Sequence, residues 1–261
     1  MQLSLKNRNA LVGGASKGIG YAIAHLLASE GASVAMVARH EEPLEDAANK
    51  IRSETGATVY TIKADIRQAD DCLKIIQTSL EKFSRIDVLV NNDGAPPLGL
   101  LNTFDDVKWA RAVEQNLMSV VRLSRGALPG MIENNWGRII NITALSALQP
   151  MPSFGLSVAT WAGVIGYAKT LSLEVASQGV TVHTICPGRI ATSRLGTVFG
   201  SGQAEEVSPE ELAKMASNIP MNRIGKPDEI AGLVAFLASP WAAYMTGCVH
   251  HIDGGRGASL I

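Results

Sequence analysis

Hydrophobic positions along this chain follow two alternating patterns. Short runs of β-branched and apolar residues are separated by longer segments in which apolar residues recur at helical spacing. The short runs predict seven strands, near Ala10–Gly13, Ser33–Ala38, Thr58–Lys63, Asp87–Asn91, Arg138–Ile142, Thr181–Ile185 and Val249–Ile252. Strands that alternate with helices are typical of α/β proteins, in which helices cover both faces of a parallel sheet. We therefore expect a doubly wound, seven-stranded parallel sheet.

Glycine, proline and acidic residues indicate several helix ends. A helix over about Gly18–Ser29 is followed by Gly31, which can adopt the left-handed conformation found just beyond helix C-termini. Pro227–Glu229 suits the first turn of a later helix, because proline and acids are favoured there. Another helix is expected to start near Pro209, within a substrate lid over residues 194–220 that is rich in Gly, Ser and Thr at its start.

Composition and charge narrow the class of protein. Hydrophobic residues make up 46% of the 261 residues, and no linker, charge run or repeat divides them, so we expect a single domain over residues 1–261. The formal net charge of −1, with both signs mixed along the chain, argues against nucleic acid and membrane partners. No stretch has the length of a membrane span or of a signal-peptide core, which predicts a cytoplasmic protein.

Three cysteines, Cys72, Cys186 and Cys248, are widely separated and lack the paired spacing of metal ligands. They predict reduced thiols in a cytosolic fold, with neither a disulfide nor a metal site.

A glycine-rich turn follows the first predicted strand, in the segment Gly-Gly-Ala-Ser-Lys-Gly-Ile-Gly at residues 13–20. Gly14, Gly18 and Gly20 allow the backbone to approach a pyrophosphate, and the N-terminus of the helix then faces its negative charge. Such a turn can also be an ordinary connection between a strand and a helix. Its place directly after the first strand favours a dinucleotide site in a Rossmann-type sheet.

Arg39, at the end of the second strand, indicates which dinucleotide is bound. Folds that use NAD place an acid there for the ribose hydroxyls, whereas a cation suits the 2′-phosphate of NADP. Lys17 would add a second donor on the same side. Either residue could instead be a solvated surface charge, but together they favour NADP(H) over NAD(H).

Several further motifs resemble the short-chain dehydrogenase/reductase family, nearest to the 3-oxoacyl-[acyl-carrier-protein] reductases, over nearly the whole chain. They are Asp65-Ile66, Asn91-Asn92-Asp93-Gly94, Asn116, the GRIINI and CPGRIAT segments at residues 137–142 and 186–192, and the IDGG segment at residues 252–255. Beside the glycine turn and Arg39, the resemblance implies a cofactor site that includes Ser16, Ile19, Asp65, Ile66, Asn91, Gly94, Pro187, Gly188, Ile190 and Thr192. It also implies a homotetramer in which the helices that contain Asn116 and Trp161 pack between subunits.

The sequence departs from the family pattern at three positions. Asp93 replaces a small residue and brings a carboxylate near the cofactor phosphates, and Gly13 stands where threonine is usual. These two changes predict reduced cofactor affinity. His183 replaces an asparagine, and we expect it and His250 to be packed or interface residues.

The family's catalytic residues are also replaced. Its members reduce a carbonyl by hydride transfer, with a tyrosine as proton donor, a serine that orients the carbonyl and a lysine that lowers the pKa of the phenol. The alignment puts Ala144 at the serine position, Ser157 at the tyrosine position and Trp161 at the lysine position. Ser157 could still orient a carbonyl, but its hydroxyl is shorter than a phenol and holds its proton more tightly.

Tyr167 and Lys169 do not restore the missing pair. They are two residues apart on a helix, so their side chains point to different sides. We expect Tyr167 to pack and Lys169 to be solvated.

Three functions remain open. The first is an NADP(H)-dependent oxidoreductase that acts on a ketone or an acyl thioester with a non-standard proton donor. Loss of a placed general acid typically costs 10²–10⁴-fold, so slow reduction would survive. The second is a lyase or cyclase that keeps the cofactor as a scaffold, and the third is a catalytically silent binding or partner subunit. The candidate proton donors are Asp93, Ser153 and Ser157, with Thr143 and Ser146 as lesser options.

Overall fold

The computed structural model describes residues 3–195 and 208–258. Within them, seven parallel strands form one sheet in the order β3-β2-β1-β4-β5-β6-β7. The strands are β1 (Asn9–Val12), β2 (Ser33–Ala38), β3 (Val59–Lys63), β4 (Val88–Asn91), β5 (Gly137–Ile142), β6 (Val180–Pro187) and β7 (Val249–Ile252). The predicted doubly wound sheet is confirmed, and the predicted bounds of β2 and β7 agree with the observed ones.

The helices lie on both faces of this sheet. They are α1 (Gly18–Ser29), α2 (Glu41–Thr55), α3 (Ala69–Phe83), α4 (Asp106–Val113), α5 (Ser119–Glu133), α6 (Gly155–Val175), α7 (Pro209–Ala216) and α8 (Pro227–Ala238). A π-helical turn over Glu114–Met118 joins α4 to α5. In the part of the chain that the structure describes, none of the helices has the length and hydropathy needed to cross a bilayer.

Two hydrophobic cores form because successive strand residues point to opposite faces of the sheet. Ala10 and Val12 pack with α1, α2 and α8, whereas Leu11, between them, packs with α3, α5 and α6. All three residues are buried, and full burial of a Val or Leu side chain contributes about 1.5–3 kcal/mol. A strand that is buried on both faces is apolar at consecutive positions, which explains the short continuous runs in the sequence.

The strand order places a crevice at the carboxyl ends of β1 and β4. From β1 the chain builds outward through β2 and β3, and it then crosses to β4 on the other side of β1. The loops after β1 and β4 therefore diverge, and ligands of open α/β sheets bind at such a reversal.

The predicted lid is described only in part. Residues 196–207 lie outside the described residues, so the lid over residues 194–220 remains a prediction. Its later portion contains α7, which begins at Pro209 as the sequence predicts. Ser208 caps this helix, because its Oγ accepts a hydrogen bond from the Glu211 N–H at 3.2 Å while the Glu211 carboxylate accepts one from the Ser208 N–H at 2.9 Å.

Candidate active site

A cleft of about 340 Å³ opens at the carboxyl ends of β1 and β2. We call it the cofactor cleft. Many of the predicted cofactor residues lie on its wall: Gly14, Ser16, Lys17, Gly18, Ile19, Gly20, Arg39, Ile66, Gly94 and Thr192. Residues far apart in the sequence are thus brought together in the crevice that the strand order creates.

The turn between β1 and α1 requires glycine for geometric reasons. Gly14 and Gly18 have φ angles of +58° and +59°, a region that side chains with a Cβ disfavour. A Cβ on Gly18 would lie 3.3 Å from Cγ2 of Thr192, and a Cβ on Gly20 would lie 2.3 Å from the Gly14 carbonyl oxygen. The turn consequently leaves room for a ligand to approach the backbone closely.

The N-terminus of α1 is suited to an anion. Lys17 occupies the N-cap position but makes no side-chain hydrogen bond to the first turn, and no acidic residue lies in that turn. The first N–H groups of a helix lack intrahelical acceptors, and the helix dipole favours negative charge there. Lys17 and Arg39 add two cations to the wall of the same cleft. These features fit the phosphate groups of a dinucleotide.

Asp65, predicted to be a cofactor residue, is engaged by a neighbouring side chain. Its carboxylate accepts hydrogen bonds from Nε of Arg67 at 2.8 and 3.0 Å, and a further one from Nη2. These bonds hold the pKa of Asp65 below its usual value. Ile66, the second member of the predicted pair, lies on the cleft wall.

Asn91 faces the interior, whereas Asn92 lines the cofactor cleft. Nδ2 of Asn91 donates to Oδ1 of Asn141 at 2.8 Å and to Oγ of Ser124 at 3.3 Å. Nδ2 of Asn92 donates to the Gly13 carbonyl at 3.0 Å and so ties the loop after β4 to the glycine turn. The sequence singled out Asn91 rather than Asn92, because the motif does not show which of two adjacent residues turns toward the cleft.

A second cavity, of about 160 Å³, adjoins the cofactor cleft at the carboxyl ends of β5 and β6. We call it the apolar cavity, because most of its wall is hydrocarbon. Its apolar side chains include Ile142, Leu145, Met151, Phe154, Trp161 and Leu195. The end of β6 and the loop after it contribute Pro187, Gly188, Ile190 and Thr192, the residues that the sequence assigns to the nicotinamide half of the cofactor site.

Asp93 lies where the two spaces meet, since it lines both of them. The residue is exposed to the cleft, but the concave protein surface around it removes water and raises its pKa above the usual value. A hydrogen bond from the Gly94 backbone and the charges of Arg39 and Arg67 act in the opposite direction. Asp93 is therefore more readily protonated than an ordinary surface aspartate.

The three positions that the sequence assigns to the family's catalytic residues are not all on the wall of the apolar cavity. Ala144 and Trp161 line it. Ser157 is only 1% exposed, its Oγ has no hydrogen-bond partner among the described residues, and it is not on the cavity wall. The Ser157 hydroxyl thus lies in the protein interior, on the α6 turn that precedes Trp161.

Asn116, the other predicted catalytic residue, lies in the π-helical turn over Glu114–Met118. Its Nδ2 donates to Oγ1 of Thr160 at 2.9 Å, which links this turn to α6. Asn116 and Trp161 both line a small inner cavity of about 30 Å³. Asn116 therefore lines this small inner cavity and not the apolar cavity.

The remaining hydroxyl groups near the site differ in how they are bonded. Oγ1 of Thr143 donates to the Ile185 carbonyl at 3.1 Å, so its proton is already used. Ser146 lines the apolar cavity, is buried, and its Oγ has no hydrogen-bond partner among the described residues. Ser153 is not on the cavity wall. Ser146 is consequently a buried residue on the wall of this cavity whose hydroxyl has no partner among the described residues.

The sequence did not predict the three arginines that line the apolar cavity. Nη1 of Arg194 donates to the Ala95 carbonyl at 3.3 Å, and Nη1 of Arg189 donates to Oδ1 of Asn218 at 2.7 Å. Arg256 reaches the cavity from the segment that follows β7. The sequence did offer a signal for Arg189 and Arg194, because both follow the Pro187-Gly188 motif closely. No motif in the sequence indicated that Arg256 would reach the cavity.

Comparisons with known proteins place the chain among reductases. A family model described as enoyl-(acyl carrier protein) reductase matches residues 14–256. The chain is 36% identical over 253 residues to the 3-oxoacyl-[acyl-carrier-protein] reductase FabG of Vibrio cholerae, covering 97% of this chain and 98% of that protein. It is 38% identical over 247 residues to the 3-oxoacyl-[acyl-carrier-protein] reductase of Synechocystis sp., covering 94% and 95%.

Solved structures show the same similarity. L-sorbose reductase from Gluconobacter frateurii, in complex with NADPH and L-sorbose, has a TM-score of 0.92 at 30% identity, with 100% of both chains covered. YwfH, an NADPH-dependent reductase involved in bacilysin biosynthesis, has a TM-score of 0.90 at 30% identity, with 97% of this chain and 99% of that chain covered. The similarity therefore extends over nearly the whole chain.

Proposed function

Because this chain belongs to the short-chain dehydrogenase/reductase family of oxidoreductases, we propose that it reduces a small carbonyl compound with NADPH through an altered proton-delivery site. One observation carries this proposal: a cleft with an uncapped helix N-terminus and two cations adjoins a largely apolar cavity, and Asp93 lines both. Two structurally similar proteins support the choice of cofactor, since one was solved with NADPH and the other is NADPH-dependent.

The residues of the cofactor cleft fit NADPH better than NADH. The glycine turn and the first turn of α1 would hold the pyrophosphate, and Arg39 with Lys17 would hold the 2′-phosphate. The nicotinamide would lie along four residues of the apolar cavity, as the resemblance to the family implies: Pro187, Gly188, Ile190 and Thr192. When bound, NADPH supplies a hydride to the carbonyl carbon, and every other task falls to the side chains of this protein.

The walls of the apolar cavity indicate the class of substrate. Leu145, Phe154 and Trp161 suit a short acyl chain or a compact ring. Arg189 and Arg256 lie on the same wall and favour a negatively charged group on the substrate. A keto acid and a 3-oxoacyl thioester with a phosphate-bearing carrier arm both meet these requirements.

Ser146 and Asp93 are the side chains that we assign to the carbonyl oxygen. A buried hydroxyl without a partner costs free energy, and a substrate oxygen that accepts from Oγ of Ser146 would remove that cost. Asp93 would hold the proton that passes to the oxygen as the hydride adds to the carbon. The raised pKa of Asp93 favours this role, because a carboxyl group must be protonated to act as a general acid.

The positions of Ser157 and Trp161 favour a second candidate function. Ser157 does not reach the apolar cavity, and Trp161 brings an indole ring without a charge to the position of the family lysine. A protein with these replacements could bind NADPH as a regulatory or structural ligand and not oxidise it. The cofactor cleft would have the same residues under either function.

A test of both candidates uses nicotinamide fluorescence for binding and NADPH oxidation for turnover. The substrate panel contains neutral ketones, 2- and 3-keto acids and acetoacetyl thioesters. We expect oxidation with the anionic substrates, and a decrease of at least about 10-fold in kcat for Ser146→Ala and for Asp93→Asn. Ser153→Ala is the matched control, because that serine lies off the cavity wall.

The results separate the candidates. Binding of NADPH without oxidation by any substrate would favour the silent protein, and failure to bind NADPH would overturn both. Equal turnover of wild type and Asp93→Asn would remove Asp93 as the acid. A loss of kcat as pH rises, present in the wild type and absent in Asp93→Asn, would support the assignment, because a general acid loses its proton at higher pH.

A further inference from the structure

We propose that His183, Cys248 and His250 bind one zinc ion at the edge of the sheet, in a site separate from the cofactor cleft. The potential ligand atoms are an imidazole nitrogen of each histidine and the Sγ of Cys248, and all lie within 4.8 Å of one another. Two nitrogens and one sulfur form a ligand set that suits Zn²⁺.

The pairing of β6 with β7 brings the three residues together. Thr184 pairs with Val249, so His183 and Cys248, one residue earlier on each chain segment, lie side by side. Cys248 and His250 are two residues apart, and alternate positions of an extended chain share one face of the sheet. His183 precedes Pro187 by four residues of β6, which is roughly 13 Å along the strand. The cluster is therefore distant from the carboxyl-end loops that form the apolar cavity.

The hydrogen bonds of His183 already orient a nitrogen lone pair as a metal ligand requires. Nε2 of His183 lies 2.9 Å from the Met245 carbonyl oxygen, and a carbonyl can only accept, so Nε2 carries the proton. Nδ1 of His183 then bears the lone pair, and it lies 3.1 Å from Nε2 of His250. Metal-binding histidines commonly donate their second N–H to a backbone carbonyl in this way.

The two histidine nitrogens already have nearly the spacing that zinc requires. Zn–N distances of roughly 2.0–2.1 Å and a Zn–S distance of roughly 2.3 Å imply, for a tetrahedron, ligand separations of about 3.3–3.6 Å. The separation of 3.1 Å between the two histidine nitrogens is close to that range. Three protein ligands leave the fourth position for water.

The charges around the cluster agree with this assignment. His183 is buried and His250 is partly buried, and burial favours the neutral imidazole, which is the form that binds a metal ion. The positive charge of Arg138 disfavours a cation beside His183. Its guanidinium, however, donates hydrogen bonds to the Gly137 and Gly179 carbonyls. The thiolate of Cys248 would supply the negative charge that favours the ion.

Zinc binding at this site should release a fixed number of protons. In the metal-free protein, Nε2–H of His250 donates to Nδ1 of His183. On binding, that proton moves to Nδ1 of His250, and the thiol of Cys248 loses its proton to solvent as the Zn–S bond forms. One proton is therefore released for each ion bound.

The experiment uses the full-length, untagged protein after treatment with a chelator. Co²⁺ is titrated first, because a thiolate ligand gives an intense charge-transfer absorption that nitrogen and oxygen ligands do not, and Zn²⁺ is then added to displace it. We expect one Co²⁺ per chain with thiolate absorption, displacement by Zn²⁺, and an increase in Tm on zinc binding.

Three variants test the ligand set. Cys248→Ser should abolish the thiolate absorption, and Cys248→Ser and His250→Gln should each lower affinity by about 100-fold or more. His251→Gln is the matched control, since it changes the adjacent histidine on the opposite face of β7 and should leave binding unchanged. Absence of thiolate absorption in the wild type would overturn the proposal, and so would an affinity that Cys248→Ser does not alter. The wild-type measurement needs no variant, so the result does not depend on whether a variant folds.

Discussion

The cofactor cleft lies at the carboxyl ends of β1 and β2 and the apolar cavity at those of β5 and β6, and the two differ in what their proposed functions require. The cleft depends on backbone geometry, through the φ angles of Gly14 and Gly18 and the uncapped N-terminus of α1. The cavity depends on single side chains, such as Ser146, Asp93 and Trp161. Under the proposed function, a cleft that depends on backbone geometry tolerates changes elsewhere in the sequence, whereas single substitutions in the cavity would alter the chemistry. A binding site of this kind would be retained even where its reaction is altered or lost.

The largest change is expected when serine, tyrosine and lysine are placed at positions 144, 157 and 161, which the resemblance assigns to the family's catalytic residues. The triple variant Ala144→Ser, Ser157→Tyr, Trp161→Lys should raise turnover of an acetoacetyl thioester by about 100-fold or more, because a phenol beside an ammonium is a placed general acid. Tyrosine at the buried position 157 should also cost about 1–3 kcal/mol of stability. NADPH oxidation and thermal unfolding are the measurements.

Single variants provide the control for this gain. Ser157→Tyr without Trp161→Lys should increase turnover much less, since nothing then lowers the pKa of the phenol. A triple variant that folds and binds NADPH but turns over no faster would show that the cavity no longer aligns a substrate with the cofactor.

The next largest effect is expected at Arg39 in the cofactor cleft. Arg39→Asp should weaken NADPH binding by about 10–100-fold, because it removes a charge-assisted hydrogen bond to the 2′-phosphate and adds a repulsive charge. NADH binding should change little or improve, so the ratio of the two dissociation constants is its own control. Equal loss of both cofactors would mean that Arg39 does not contact the 2′-phosphate.

A comparison of two glycines isolates the geometry of the cleft. Gly18→Ala and Gly56→Ala introduce a Cβ at similar φ angles, +59° and +68°, so each should destabilise the fold by about 1 kcal/mol. A Cβ at Gly18 enters the cleft beside Thr192, whereas a Cβ at Gly56 meets nothing within 4 Å. Gly18→Ala alone should therefore weaken NADPH binding, by about 10-fold. The hypothesis would fail if both variants bound NADPH like the wild type.

The smallest effect on cofactor binding is expected at Asp93, where the two regions meet. Asp93→Asn should strengthen NADPH binding by about 3- to 10-fold, because it removes a negative charge near the phosphates. Turnover should fall at the same time if Asp93 supplies the proton. A variant in which both quantities fall would contradict the electrostatic part of this prediction.

The same variant makes a prediction about pH and stability. The folded protein raises the pKa of Asp93, so protonation stabilises the fold at low pH, and that stability is lost as pH rises through the raised pKa. Asn cannot ionise, so Asp93→Asn should gain stability relative to the wild type above that pH. Denaturant unfolding at pH 4 and pH 7 measures the difference.

Local patterns in the sequence were sufficient to predict the parallel sheet, the bounds of β2 and α1, and the glycine turn. Hydrophobic periodicity and the backbone needs of glycine act over a few residues, so they can be read without knowing the rest of the fold. Tertiary packing alone decided that Ser157 lies off the cavity wall, that Asn92 rather than Asn91 lines the cleft, and that Arg256 reaches the apolar cavity. It also paired His183 with His250, which are 67 positions apart. Such contacts depend on how distant elements pack, and no local spacing carries that information.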